Sequence, residues 1–208
     1  MFQHACQPHS PTASDEDGLV GLVEYARAGD QAAFTALFER YNARICRYLA
    51  RLVLDEDLGR DLAQDTFLAA WRGIAGIQDA ARFGPWLYQI ATNLARSHLR
   101  RARLIRWLPW ADAGNHTGER HPSMAGPDEY AGEAEYVALA MAQVSPQCRA
   151  CLLLQVGEGY SQREVAHLLG ISEKSVSAYT SRGRQQFRQV YYRLEQESEI
   201  STKGGPGR

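Results

Sequence analysis

Between Phe34 and Leu52 the apolar residues Phe34, Leu37, Phe38, Tyr41, Ile45, Tyr48, Leu49 and Leu52 return at steps of three and four, with Glu39, Arg40 and Arg44 off the stripe. That spacing follows the turn of an α-helix, so the segment predicts an amphipathic helix with one buried face. The helical pattern already begins at Leu19. A second stretch runs from about Leu58 to Ile74, with Ala63, Phe67, Trp71 and Ile74 on one face. A third starts after Gly84-Pro85 and runs from Trp86 to about Arg106. No segment alternates apolar and polar residues over a useful length, so strands are not expected. The fold class is all-α.

The 208 residues suit one large domain or two small ones, and the pattern divides them in two. Residues 1–18 are polar, contain two prolines, and read as a flexible N-terminal arm. Residues 19–106 form the first helical module. Residues 107–132 are rich in Pro, Gly and acids without periodicity and read as a flexible linker. Residues 133–195 form a second helical module, and residues 196–208 a tail. In the second module Ser145-Pro146 opens one helix, Ser161 with Glu164 makes a capping box for the next, Gly170 ends it, and Ser172 caps the last.

A net charge of −1 hides a sorted distribution. Residues 55–65 carry five acids and one Arg, residues 80–111 six Arg and no acid, residues 112–135 six acids and one Arg, and residues 160–193 six basic and two acidic groups. Two basic blocks separated by an acidic stretch point to two polyanion-facing surfaces. The near-neutral total predicts weak DNA binding by the isolated chain.

Ser161 to Phe187 reads as a helix-turn-helix: a short capped helix, a turn at Gly170-Ile171-Ser172, and a longer helix, with Val165, Leu168, Ile171 and Val176 as the core between them. On the second helix Lys174, Ser175, Ser177, Ala178, Ser181 and Arg182 can reach a major groove, with Arg184 and Arg188 near phosphates. A plain helical hairpin with a solvated basic face is the alternative.

At this level VSPQCRACLLLQVGEGYSQREVAHLLGISEKSVSAYTSRGRQQF resembles the fourth-region DNA-binding domain of bacterial RNA polymerase sigma factors of the extracytoplasmic-function type. DLGRDLAQDTFLAAWRGI resembles the second-region segment that docks on the polymerase, and FGPWLYQIATNLARSHLRRAR the adjoining segment that opens and reads the promoter. Both occur in the family's order. The resemblance implies core RNA polymerase and promoter DNA as partners, leaves room for an anti-sigma factor, and implies no cofactor, no enzymatic activity and no membrane insertion.

Asp57, Asp61 and Asp65 fall four apart on one helix face, with Gln64 alongside. Like charges at that spacing cost an isolated helix a few tenths of a kcal/mol per pair. Either they meet a basic partner, which by resemblance is the polymerase, or they form an ordinary solvated face. On the next helix Leu87, Ile90, Ala91 and Leu94 face a core, while Gln89, Asn93, Arg96, Arg100 and Arg103 line another side. A row of guanidiniums with nearby aromatics suits a groove that tracks a nucleic-acid backbone, and Trp86 and Tyr88 are the candidates for touching unpaired bases. Core packing is the rival role for Trp86.

The chain departs from the family pattern at several points. Ala178-Tyr179 and Gln185-Gln186 replace basic residues, Thr180 a leucine and Gly183 an alanine; Gln89 and Thr92 stand where Arg is frequent. Cys148 and Cys151, in the first turn of a helix, invite comparison with a redox or metal pair, with Cys6 and His4 or His9 as the residues to complete it. The structural alternative is a buried thiol, the position that the resemblance gives Cys151. No HExxH, P-loop or Ser/His/Asp arrangement occurs, so no catalytic or metal residue is assigned. The longest apolar run, Tyr136 to Ala142, has seven residues, and the N-terminus lacks a signal-peptide pattern, so the expected location is cytoplasmic. A polymerase-independent helix-turn-helix regulator and a thiol or metal sensor are the rival functions.

Overall fold

The computed structural model describes the backbone of residues 13–105 and 131–203, and side chains within 18–102 and 135–196. Most of the expected arm and linker, with Cys6, His4 and His9, lies outside the described residues. Among the described residues eight α-helices follow in order: α1 (Ala13–Arg27), α2 (Gln31–Val53), α3 (Glu56–Gly73), α4 (Phe83–Ile105), α5 (Ala131–Gln143), α6 (Pro146–Leu152), α7 (Gln162–Leu169) and α8 (Glu173–Lys203). There is no strand among the described residues. Helix α1 begins inside the stretch expected to be a loose arm, and α8 continues past the expected start of the tail.

In the first module the Asp30 carboxylate accepts from the backbone N–H groups of Ala32 and Ala33 and so starts α2. The helix ends at Leu54 in the left-handed conformation, φ 63°. Asp55 then accepts from Leu58 N–H at 3.0 Å and opens α3 directly. This one-turn reversal lays α3 back along α2, and Gly59 lets the two backbones meet: a Cβ there would stand 2.6 Å from Ala50 Cα. Leu37, Ile45 and Leu49 of α2, Phe67 and Ala70 of α3, and Leu87 and Ala91 of α4 are buried together. Trp71 departs from the expected core face. It is 38% exposed at the rim, its ring edge-on to Phe34 at 4.9 Å. Two short 3-10 turns, Ile74–Gly76 and Ala80–Arg82, lead into α4 and are pinned by buried Ile74, Ile77 and Ala80.

The second module follows its caps. Ser161 and Glu164 form the reciprocal capping box, Gly170 takes φ 64° to end α7, and Ser172 Oγ accepts from Ser175 N–H at 3.1 Å to start α8. Val165, Leu168 and Val176 are buried between α7 and α8, and Ile171 packs at their edge. Between α6 and α7 the chain widens into a π-helical turn, Leu153–Gly157.

The two modules do not stand apart. Ala150, Cys151, Leu153 and Leu154 belong to the same buried cluster as Ile45, Tyr48 and Leu52. Arg149, 4% exposed, reaches across the seam: its guanidinium donates to Leu52 O at 2.8 Å, Val144 O at 2.8 Å and Ala142 O at 3.3 Å. With no carboxylate beside it among the described residues, burial pushes its pKa down to about 10. The sequence shows Arg149 only as a cation inside an apolar run. Its role depends on which carbonyls the fold leaves facing it.

Candidate nucleic-acid and polymerase interfaces

Helix α4 divides the residues assigned to DNA into two groups. Asn93 and Arg100 are exposed, seven apart and so nearly in line along one face; Arg100 Nη2 donates to Ser97 Oγ at 3.3 Å. Trp86, in line with them, is half-buried and tilted against Phe83, ring centroids 5.9 Å apart. Its inner side therefore packs within the module. The side chain of Arg103 lies outside those described.

Tyr88 and Arg96 are covered. Tyr88 is fully buried, edge-on to Tyr48 at 5.2 Å and to Tyr160 at 5.4 Å, and its hydroxyl donates to Glu158 Oε2. Burial, then the neighbouring Glu158 carboxylate, hold that hydroxyl well above the ordinary tyrosine range. Arg96 is half-buried and donates from Nη1 to Leu169 O at 3.2 Å. In this conformation the Tyr88 ring is covered: helical phase puts it beside Thr92 and Arg96, the face on which the second module sits. Thr92 is buried too, donating to Tyr88 O at 2.7 Å and bonded to the Tyr48 hydroxyl at 2.7 Å. An arginine could not occupy that position here, which accounts for the departure from the family pattern.

On α8 the side chains of Lys174, Ser177, Ser181, Arg182 and Arg184 are exposed, and Ala178 is half-buried. Ser175 is spent locally, its hydroxyl bonded to Ser172 Oγ at 2.8 Å in the helix cap. Arg182 stands over the Tyr179 ring, 5.9 Å from its centroid. An open polar groove of about 870 Å³ runs along this helix, lined by Ser177, Ser181, Arg184 and Arg188 with Gln155 and Gln162 from the preceding elements. Those two glutamines were not legible as site residues, because only the fold brings them beside α8.

The same contacts explain two further departures. Thr180, in the place of a leucine, is buried and donates to Gln155 Oε1 at 2.5 Å. Gly183, in the place of an alanine, leaves room that Leu152 fills; a Cβ there would meet Leu152 Cδ1 at 2.7 Å. The core of the second module has compensated for both.

On α3 the side chains of Asp57, Asp61, Gln64 and Asp65 are all exposed. Asp57 pairs with Arg60 at 2.9 Å, both largely solvated. No ion pair among the described residues engages Asp61 or Asp65. Leu68, 53% exposed, continues the row.

Cys148 and Cys151 are buried and form no disulfide with each other. Burial, followed by the neighbouring Cys148, pushes the Cys151 thiol up to about 11. Desolvation thus outweighs the helix-end effect that would lower it. Among the described residues no cluster of three His, Cys, Asp or Glu could hold a metal ion.

With this arrangement in view, the chain matches the family models for Sigma-70 region 2 over residues 37–105 and Sigma-70 region 4 over residues 134–187. It is 34% identical to RNA polymerase sigma factor CarQ of Myxococcus xanthus over 177 residues, covering 84% of this chain and 98% of that one. The chain belongs to the extracytoplasmic-function sigma factors. It is 31% identical to ECF RNA polymerase sigma factor SigL of Mycobacterium tuberculosis, covering 75% of this chain and 87% of that one. Among solved structures it resembles CnrH in complex with the cytosolic domain of CnrY, with a TM-score of 0.61, 26% identity, and coverage of 84% of this chain and 97% of that one. A sigma factor directs core RNA polymerase to promoters and has no catalytic centre of its own, so the polymerase-independent regulator is not favoured. No described helix is long and apolar enough to cross a membrane.

Proposed function

We propose that the first module of this sigma factor docks on core polymerase through Asp57, Asp61, Gln64 and Asp65 of α3. In the same reading Asn93, Arg96, Arg100 and Arg103 of α4, with Trp86 and Tyr88, engage the melting promoter element. The second module reads the upstream element with Lys174, Ser177, Ala178, Ser181, Arg182 and Arg184 of α8, Ser175 serving the helix cap. The observation that carries this is the pairing of opposite charges on two helices of one module. Exposed Asp61 and Asp65, in no ion pair among the described residues, stand on α3, and exposed Asn93 and Arg100 on α4. Carboxylates in that state cost the helix a little and gain only when a cationic surface meets them. The cytoplasm, where the polymerase works, is the proposed location. An anti-sigma factor is the third class of partner, in line with CnrH having been solved with the cytosolic domain of CnrY.

The test is transcription in vitro from fragmented genomic DNA, with core polymerase and either the native chain or Asp61→Arg/Asp65→Arg. The native chain should add start sites sharing two spaced upstream elements. The double variant should lose core binding by about tenfold or more with its melting temperature unchanged. A folded double variant that starts transcripts as well as the native chain would remove α3 from the interface.

A further inference from the structure

Three contacts across the seam between the modules converge on α4 and the C-terminal half of α2. The Glu158 carboxylate, its side chain only 13% exposed, accepts from the Tyr88 hydroxyl and from Arg44 Nε and Nη2 at 3.3 and 3.1 Å. The Leu169 carbonyl takes an N–H of Arg96. The Leu52 carbonyl takes one from Arg149. Tyr160 closes the aromatic side, edge-on to Tyr88, and a Cβ on Gly84 would stand 3.5 Å from its hydroxyl. In each of the first two contacts the second module presents an anionic or carbonyl oxygen to a donor of the first. A nucleic-acid backbone would present phosphate oxygens to the same donors.

We propose that Glu158 is a phosphate mimic and the latch of a closed resting state, in which the second module covers half of the DNA-facing side of α4 and must swing away before Tyr88 and Arg96 can engage promoter DNA. The proposal rests on the reading of α4 as a DNA-facing helix. Its place in the fold suits a latch. Glu158 follows the π-helical turn and precedes Gly159, φ 80°, so a short irregular segment rather than a rigid helix carries the carboxylate. Arg44 is itself 45% exposed, so a competing polyanion can reach the pair without first unfolding either module. Closure and DNA binding draw on the same donors and therefore exclude each other. The apparent affinity for DNA is then the intrinsic affinity scaled by the open fraction.

The experiment uses the full chain, native and as Glu158→Ala and Glu158→Gln, with helicity and melting temperature measured alongside to establish that each is folded. Small-angle X-ray scattering gives the radius of gyration, and fluorescence anisotropy gives affinity for a fork-junction DNA at fixed salt. The native chain should be compact and both variants expanded. Affinity for the fork should rise about tenfold for Glu158→Ala, the effect of losing charge-assisted bonds across the seam, and nearly as much for Glu158→Gln. A native chain already expanded, or variants as compact as the native chain, would overturn the latch. Variants that expand without gaining affinity would overturn the gating. Arg100, exposed and in no hydrogen bond or ion pair with the described residues of the second module, separates that failure from failure of the α4 reading: Arg100→Ala added to Glu158→Ala weakens fork binding only if α4 faces DNA.

Discussion

Replacing Gly59 with alanine puts the contact between α2 and α3 to a test of sign. Judged on the helix alone, the change should stabilise, because alanine is favoured over glycine in a helix interior by about 1 kcal/mol. In the fold the new Cβ would lie 2.6 Å from both N and Cα of Ala50 and 2.9 Å from its Cβ. Ordinary carbon–carbon contacts lie at about 3.5–4.0 Å, so the two helices must part by about 1 Å. The obstacle is backbone in the last turn of α2, which no rotamer change can move. Overpacking of this kind costs about 1–3 kcal/mol and occasionally more, and here the upper end applies. After the gain in helix propensity the net loss should be about 1–2 kcal/mol, a fall in melting temperature of about 2–8 °C for a chain of this size. Thermal unfolding of the full chain followed by circular dichroism reads this directly. Ala50→Gly should not rescue the variant, since it removes only the Cβ and leaves N and Cα in place. An unchanged or raised melting temperature for Gly59→Ala would refute the close approach of α2 and α3.

Thr92→Val should cost about 1–2 kcal/mol in urea unfolding, because it strands the buried Tyr48 hydroxyl that Thr92 bonds at 2.7 Å; adding Tyr48→Phe should recover part of the loss. Gly183→Ala should destabilise, and adding Leu152→Val, which thins the side chain that a new Cβ would strike, should make the pair markedly non-additive in a double-mutant cycle. Cys148 and Cys151 should resist iodoacetamide at pH 8 in the folded chain and react once it is unfolded, as mass spectrometry would count. The same burial has a pH consequence. The folded Cys151 keeps a proton that the unfolded chain sheds, so this contribution to stability falls as pH rises from about 9 to about 11, and Cys151→Ala should flatten that part of the stability curve.

The all-helical fold was legible because helical structure is written in short-range spacing. The stripe from Phe34 to Leu52, the Ser161–Glu164 capping box and the Gly170 turn each depend on residues within a few positions of one another, and each appears where its pattern places it. Exposure of Asp61, Gln64, Asp65 and Arg100 was legible for the same reason: residues on the polar side of an amphipathic helix face solvent unless something covers them. Trp71 was misplaced because periodicity gives the face of a helix, and not how far the neighbouring helix reaches across it.

Only the tertiary structure could decide what covers α4. Tyr88 and Asn93 sit on one helix, yet one is fully buried and the other exposed, because Glu158, Tyr160 and Leu169 arrive from about 70 positions along the chain. Arg149 likewise finds its carbonyl at Leu52, 97 residues away. Contacts at such separation leave no local pattern, since the spacing between partners is set by the path of the whole chain. The sequence alone determined the helices, the turn between α7 and α8, and the charge carried by each face. Which of those faces meet solvent and which are held against the other module was settled only when the two packed together.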